Sequence, residues 1–370
     1  MLKKLSFVAI FLIAAASFIG QPVFAQITYY TVKGRVIDRT TKAPLAGASV
    51  FAQNTTFGEA TSSDGSFSLK LPSGGYSLIV TFTGYETGSE RISNTTAQND
   101  SLVFELGPKE KSLEEVTVAV SNEVKDGWQK YGEFFTQNFI GQSKFAKQCV
   151  IANPEVLHFY FSKKRNRLKV LAHDPLIVNN YALGYHLKFA IDSFTNEYST
   201  NTNLFIGYPL FEEMQGTPEQ QQTWKANRVT AYQGSMLQLM RSIFNKTIKE
   251  DGFEIQFVVK NNDQEMPLKL GNVYGALNYD RDDSTNTVDI LPNQNEVAII
   301  YDKAKPEQAY IDADATVKKD FQLSTLQFTP GASISIEQNG YYYDQTDVTT
   351  NGYLAFKKIG DMLPYDYSGD

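Results

Sequence analysis

Apolar and polar residues alternate with a period of two along the first third of this chain, and this alternation constrains its fold more than any other feature. Successive side chains of a β-strand point to opposite faces, so each alternating run predicts a strand with one buried face. Five such runs lie between residues 29 and 106: Val32, Gly34 and Val36; Ala48, Val50 and Ala52; Phe67, Leu69 and Leu71; Tyr76, Leu78, Val80 and Phe82; and Leu102, Phe104 and Leu106.

Turn residues separate the runs. Pro fixes φ and Gly adopts backbone conformations that other residues avoid, and both occur in clusters at residues 42–44, 63–65 and 72–75. Turns spaced roughly eight to twelve residues apart, with no helical period between them, are typical of two packed sheets. We therefore expect a β-sandwich over residues 27–107.

The same stretch carries ordered motifs at residues 32–38 (VKGRVID), 44–50 (PLAGASV), 61–67, 71–76 and 84–85. In this order they resemble the carboxypeptidase-regulatory-like domain family. The resemblance implies a seven-stranded immunoglobulin-like, transthyretin-like sandwich. It implies a fold and a context, and no reaction.

The N-terminus predicts export. Lys3 and Lys4 precede an apolar run over residues 7–19, and small residues then lead to Ala25. This pattern is typical of a signal peptide, here residues 1–25 with cleavage after Ala25. We expect a periplasmic, outer-membrane-associated or extracellular protein. The alternative, a membrane-spanning helix, is weaker because the run is shorter than the roughly 20 residues that cross a bilayer.

Charge and cysteine content exclude several classes of protein. The formal charge is -7, which argues against partners such as nucleic acid or an anionic membrane face. Cys149 is the only cysteine, so no internal disulfide can form. We expect its thiol to serve as a small buried apolar group. No later apolar stretch is long enough to span a membrane, so the mature chain is not expected to be membrane-spanning.

Residues 108–121 are predicted to be a linker, because the polar stretch Gly107 to Ser112 breaks the alternation. Within the linker, residues 112–118 (SLEEVTV) are similar to the segment that follows this domain in TonB-dependent transporters, where it pairs with a partner as an added strand. The alternative is an ordinary strand leading into the next domain.

Residues 122–370 are predicted to form a larger β-rich α+β domain of unknown function. A short amphipathic helix is expected over residues 126–139, and one long helix from Thr217, with a capping box to Gln220, as far as Gly252. Strands are expected at residues 157–161, 185–191, 255–259, 297–301, 334–336 and 353–355. The whole chain is therefore predicted to be mostly β.

Motifs in this second region, among them residues 183–185 (LGY), 231–235 (AYQGS) and 363–367 (LPYDY), resemble secreted proteins of the Bacteroidetes type that carry a carboxypeptidase-like regulatory domain. This resemblance covers most of the mature chain. It implies kinship and no activity.

Catalytic constellations are not expected. A zinc carboxypeptidase site needs converging His and Glu ligands, and none of His158, His173 and His186 is followed three residues later by Glu. Ser235 falls within the predicted long helix, unlike the serine of a hydrolase elbow. A glycosidase pair among acidic residues such as 212–213 or 282–283 stays open, because two carboxylates need only meet in space. We predict no enzyme, no metal and no cofactor.

Two sets of residues are candidates for ligand contact. Arg228, Tyr232 and Arg241 lie along the predicted long helix, where guanidinium groups over rings can bind a carboxylate or a sugar face. The alternative is that they fasten the helix to a sheet. Asp280, Asp282 and Ser284 offer oxygen ligands for calcium, although the alternative is a polar hairpin loop.

Together these features predict a non-enzymatic exported envelope protein. The sandwich would dock or space the larger domain, which would bind an envelope protein or a glycan. A carbohydrate-binding module protein is the first alternative, and a hydrolase with a hidden carboxylate pair is the second.

Overall fold

The computed structural model of the chain describes residues 28–93, 101–109, 122–200, 202–261 and 264–369. The predicted signal peptide and the predicted strand over residues 112–118 lie outside the described residues. No helix in the described part is long and apolar enough to cross a membrane.

Seven strands form the first unit, and this confirms the predicted seven-stranded sandwich. One sheet has the order β4-β1-β7 and the other β3-β2-β5-β6. The predicted apolar faces meet between the sheets, where Val36, Val50 and Leu78 are fully buried. The strands are β1 (Tyr29–Asp38), β2 (Ser49–Ala52), β3 (Gly58–Ala60), β4 (Ser66–Pro72), β5 (Tyr76–Thr81), β6 (Gly88–Ile92) and β7 (Leu102–Leu106).

Helix α1 (Gly127–Phe139) and a six-stranded antiparallel sheet form the next unit. The helix begins within one residue of the predicted position, and it packs the buried rings of Phe135 and Phe139 against the sheet residues Phe189 and Phe194. The strands are β8 (Cys149–Ile151), β9 (Leu157–Ser162), β10 (Arg167–Ala172), β11 (Leu176–Asn180), β12 (Tyr185–Glu197) and β13 (Thr202–Glu213).

The predicted single long helix is wrong, because the structure contains two helices. Helix α2 (Pro218–Tyr232) has the predicted capping box of Thr217 and Gln220. Gly234 then adopts a left-handed conformation with φ of 66°, and the Ser235 hydroxyl caps helix α3 (Met236–Asn245). The second helix ends at Lys246, which is left-handed, and not at Gly252.

The last part of the chain has a third hydrophobic core, made by α3 and two small sheets. The five-stranded sheet has the order β15-β14-β18-β19-β21 and the three-stranded sheet β16-β17-β20. The strands are β14 (Phe253–Asn261), β15 (Gln264–Lys269), β16 (Asp280–Asp282), β17 (Thr287–Ile290), β18 (Glu296–Tyr301), β19 (Gln322–Phe328), β20 (Ile334–Glu337) and β21 (Val348–Gly352). Short helices α4 (Val273–Ala276), α5 (Gln308–Ala313) and α6 (Tyr353–Phe356) connect them.

The predicted strand at residues 353–355 is also wrong, because these residues form α6. Gly352, with φ of 73°, turns the chain out of β21. The Ser324 hydroxyl then accepts a hydrogen bond from the Leu354 N–H at 2.9 Å. The predicted class is confirmed, since strands dominate the described residues and helices are few.

Candidate functional site

The central strands β2 and β5 of one sandwich sheet are buried on both of their faces. Val50 and Leu78 face the core of the sandwich, whereas their neighbours Phe51 and Ile79 face the other way and are nonetheless only 3% and 0% exposed. Phe51 and Ile79 pack against Leu210 of β13, in the larger region. The two units therefore share an apolar contact, which we call the junction.

A loop of the sandwich extends the edge of β13 at the junction. The Asn54 N–H donates to the Pro209 carbonyl at 2.8 Å, and the Phe211 N–H donates to the Thr55 carbonyl at 2.9 Å. Thr55 thereby forms a parallel bridge with Leu210. Main-chain hydrogen bonds of this kind are the mode by which an extended segment is added to a sheet edge.

The C-terminal segment, residues 363–367, holds the same loop from a second side. The Tyr365 N–H donates to the Asn54 carbonyl at 2.6 Å. The Asp366 carboxylate accepts hydrogen bonds from the Thr56 N–H at 2.9 Å and from its hydroxyl at 2.5 Å. Burial raises the pKa of Asp366, and its hydrogen bonds with Thr56 oppose that increase.

An ion pair between Arg91 and Glu337, which we call the latch, joins one further element of each unit. Arg91 of β6 forms an ion pair with Glu337 of β20, whose side chain is 8% exposed. The same carboxylate accepts a hydrogen bond from the Gly75 N–H at 2.9 Å and one from the Tyr343 hydroxyl at 2.6 Å. The Arg91 guanidinium lies 4.6 Å from the ring centroid of Tyr341. Each charged group of the latch is therefore compensated.

Arg228, one of the predicted ligand contacts, lies between α2 and the six-stranded sheet. Its guanidinium donates to the carbonyls of Leu183 and Gly184, pairs with Glu213 at 2.8 Å, and lies 3.9 Å from the ring centroid of Tyr185. These contacts fasten the helix to the sheet, which is the alternative interpretation. Ligand contact by Arg228 stays a prediction.

Arg241 and Tyr232 also make contacts within the chain. Arg241 donates to the carbonyls of Asn339 and Tyr365, both at 3.0 Å. The Tyr232 ring packs against Tyr367, and the Arg241 guanidinium lies 5.5 Å from the Tyr232 ring centroid. Both residues thus hold the C-terminal segment in place. Their contact with a ligand stays a prediction as well.

The candidate calcium residues lie in a hairpin. Asp280 and Asp282 belong to β16, which pairs with β17. The Asp282 carboxylate accepts hydrogen bonds from the N–H and the hydroxyl of Ser284, and these bonds lower its pKa. Among the described residues, no group of three or more His, Cys, Asp or Glu side chains could hold a metal ion. The calcium hypothesis stays a prediction.

Two of the three histidines are in contact with each other, and the candidate nucleophiles have other roles in the fold. His158 packs against His173, whereas His186 lies on β12 and contacts Asn179. Ser235 uses its hydroxyl as a helix cap. Burial raises the pKa of Cys149 to about 12, which favours the neutral thiol at neutral pH.

The acidic pair at residues 212–213 is divided between two basic partners. Glu212 forms an ion pair with Lys188 at 2.6 Å, and Glu213 pairs with Arg228. Neighbouring strand residues point to opposite faces, so the two carboxylates diverge.

Sequence reasoning missed the junction, although one signal was present. Leu78, Ile79 and Val80 are consecutive apolar residues in a strand that should alternate, and such a run is typical of a strand buried on both faces. No comparable signal in the sequence identifies β13 as the strand that covers Phe51 and Ile79, because Leu210 is more than 100 residues away along the chain.

The comparison with family models concerns the sandwich and the residues that follow it. The model of the CarboxypepD_reg-like domain matches residues 32–118. No curated protein matches the chain.

Similar solved structures share little sequence with the chain, and each of the three named here has a TM-score of 0.18. A 3-chlorocatechol 1,2-dioxygenase from Rhodococcus opacus is 16% identical over 24% of this chain and 63% of its own, which is less than two thirds of its length. A type II cohesin–X-dockerin complex from Acetivibrio cellulolyticus is 22% identical over 30% and 75%. A DUF3823 family protein from Bacteroides ovatus is 12% identical over 51% and 83%. The family model alone assigns residues 32–118 of this chain to a CarboxypepD_reg-like domain.

Proposed function

We propose that this chain is a non-catalytic, exported envelope protein in which the CarboxypepD_reg-like sandwich braces the larger region, and that the larger region binds a partner. The observation that carries this proposal is the junction. Phe51 and Ile79 would be exposed apolar residues on an isolated sandwich, and here both are buried against Leu210. The face of the sandwich that carries Phe51 and Ile79 is thus covered by another part of the same chain.

Export is supported by the first 25 residues, where two lysines, an apolar run and a small-residue site occur in the order of a signal peptide. Mass determination of the protein recovered from the envelope of a producing cell tests this part. The expected mature N-terminus is Gln26. A protein that retains residues 1–25 would contradict the proposed export.

The non-catalytic part is supported by the way in which the candidate reactive groups are used. Glu213 neutralises Arg228, the Ser235 hydroxyl caps a helix, and the Cys149 thiol is held in its neutral form by burial. General acid and base catalysis instead needs groups that face a substrate cavity with a pKa near the working pH.

A second candidate function is carbohydrate binding. The observation that favours it is an open groove with cationic and aromatic lining residues in the larger region. For this second function, the partner of the larger region is a glycan and not an envelope protein.

Incubation of the mature chain with peptide and polysaccharide substrates tests the central statement. We expect no turnover above that of the heat-denatured protein. Turnover that disappears in a Glu212→Gln or Asp283→Asn variant, while a Glu105→Gln variant retains it, would replace this proposal with a hydrolase. Glu105 is a suitable control because it forms an exposed ion pair with Lys42 in the sandwich.

A further inference from the structure

An open groove of about 890 Å³ lies where the start of α1 meets the turn between β9 and β10. The groove combines space, charge and aromatic surface. Tyr131 of α1 and Phe161 of β9 line it with near-parallel rings, 6.0 Å apart and inclined by 17°. A volume of this size accommodates several sugar rings or a ligand of similar bulk.

The lining of the groove has the opposite charge from the protein as a whole. The full chain has a formal charge of -7, yet five cationic side chains line the groove against two acidic ones, Glu123 and Asp126. Clefts lined by one sign of charge concentrate ligands of the other sign. The five cations are Lys125, Lys130, Lys163, Lys164 and Arg165.

These cations are available to a ligand. All five are exposed, and the ion pairs found among the described residues involve none of them. One of the acidic residues already has a hydrogen-bond partner within the chain, since the Glu123 carboxylate lies 3.0 Å from His158 Nδ1. Within the part of the chain that the structure describes, the groove therefore presents positive charge that no ion pair neutralises.

We propose that this groove binds an acidic glycan, meaning an oligosaccharide that carries carboxylate or sulfate groups. Guanidinium and ammonium groups pair with such anions. Aromatic side chains such as Tyr131 and Phe161 provide apolar surface for the C–H faces of sugar rings, and the Tyr131 hydroxyl can hydrogen-bond sugar hydroxyls. A nucleic acid fits the same cations less well, because the rest of the surface is acidic and repels a long polyanion.

The test is a binding titration of the mature chain at low ionic strength with three polymers. Polygalacturonate carries carboxylates, dextran sulfate carries sulfates, and dextran is neutral. We expect binding of at least one acidic polymer and none of dextran. The acidic polymer that binds identifies the anion. Binding of neither acidic polymer would overturn the proposal.

Two matched double variants locate the binding. Lys163→Gln with Lys164→Gln removes two groove cations, and Lys318→Gln with Lys319→Gln removes two exposed cations outside the groove. We expect about a tenfold loss of affinity in the first variant and less than about a twofold loss in the second. Equal losses would show nonspecific attraction and would overturn the proposal.

A third variant tests the aromatic part of the site. Tyr131→Leu removes a ring and preserves the charge, and we expect it to weaken binding at least about twofold at constant salt, whereas Tyr131→Phe should retain most of the affinity. Unchanged affinity in Tyr131→Leu would reduce the site to a simple anion site and contradict a glycan. The glycan site rests on the proposed function and adds a ligand to it. The junction and the absence of turnover are tested by separate experiments.

Discussion

Glu337 shows how single residues hold the two units together. Its carboxylate is almost fully buried and is compensated by Arg91, the Gly75 N–H and the Tyr343 hydroxyl. A buried carboxylate without such partners would be strongly destabilising. Because Arg91 and Gly75 belong to the sandwich, the stability of this carboxylate depends on docking.

We therefore predict that Arg91→Ala lowers the free energy of unfolding by about 3 kcal/mol, because it leaves Glu337 buried without its cation. Lys42→Ala is the matched control. Lys42 pairs with Glu105 in an exposed setting, so its loss should cost less than about 1 kcal/mol. Urea denaturation of the two variants measures both values. Equal costs would show that the latch contributes no more than a surface ion pair.

Asp361 makes stability depend on pH. Its side chain is 5% exposed, and burial raises its pKa to about 6 against the lowering effects of Ser143 and Lys357. A carboxyl group with a raised pKa in the folded state stabilises the fold at low pH. The stabilisation is lost as the pH rises from the ordinary value near 4 through 6.

We predict that the free energy of unfolding falls by about 2 kcal/mol between pH 4 and pH 7, relative to an Asp361→Asn variant. The difference between the two proteins isolates this group, because other carboxylates titrate in both. Parallel pH profiles for the two proteins would contradict the assignment.

Residue contacts were predictable where the partners are close in sequence. Thr217 and Gln220 form their predicted capping box because both groups lie in one turn of helix. From the sequence, it could be proposed as an alternative that Arg228 and Arg241 fasten the helix to a sheet. The residues to which they bind could not be predicted. Arg241 donates to the carbonyls of Asn339 and Tyr365, about 100 residues further along the chain.

At the scale of elements, the break between α2 and α3 explains why one helix was predicted. Apolar residues continue at helical spacing through Gly234, so the periodicity shows no interruption. The break comes from tertiary structure. Gly234 is left-handed and lies against β18 and β19, where a Cβ atom would come within 2.8 Å of Tyr301 and against the Gln322 side chain.

A Gly234→Ala variant should consequently be destabilised by about 2 to 3 kcal/mol, from backbone strain and steric overlap together. The matched control is Gly47→Ala, which has a left-handed φ of 80° and no atom within 4 Å of its Cβ position. That variant should lose only about 1 kcal/mol. Thermal unfolding of both proteins compares them, and an equal loss would refute the packing explanation.

Strands were predictable where both the pattern and the length were sufficient. β9, β12, β14 and β18 each contain the predicted alternation over three or more apolar residues, whereas β20 was predicted correctly from Ile334 and Ile336 alone. The predicted strand at Tyr353 had only two alternating residues, and the left-handed Gly352 redirects the chain there. Short strands such as β8 and β16 are held by their neighbours in the sheet, which local sequence does not encode.

For the whole molecule, the described residues form three hydrophobic cores in series. The sandwich core is formed by local alternation and could be predicted from sequence. The contact between the sandwich and β13 depends on the Phe51, Ile79 and Leu210 cluster and on the loop at Thr55. This contact distinguishes a braced molecule from two units on a flexible linker.

A double-mutant cycle between Ile79 and Leu210 in the full mature chain tests that distinction most directly. Ile79→Ala and Leu210→Ala are measured singly and together by urea denaturation. A cycle between Ile79 and Val288, which lies in a separate core, is the control and should be additive within about 0.5 kcal/mol. The braced molecule predicts a coupling energy of about 1 kcal/mol or more between Ile79 and Leu210, and strictly additive losses would contradict it.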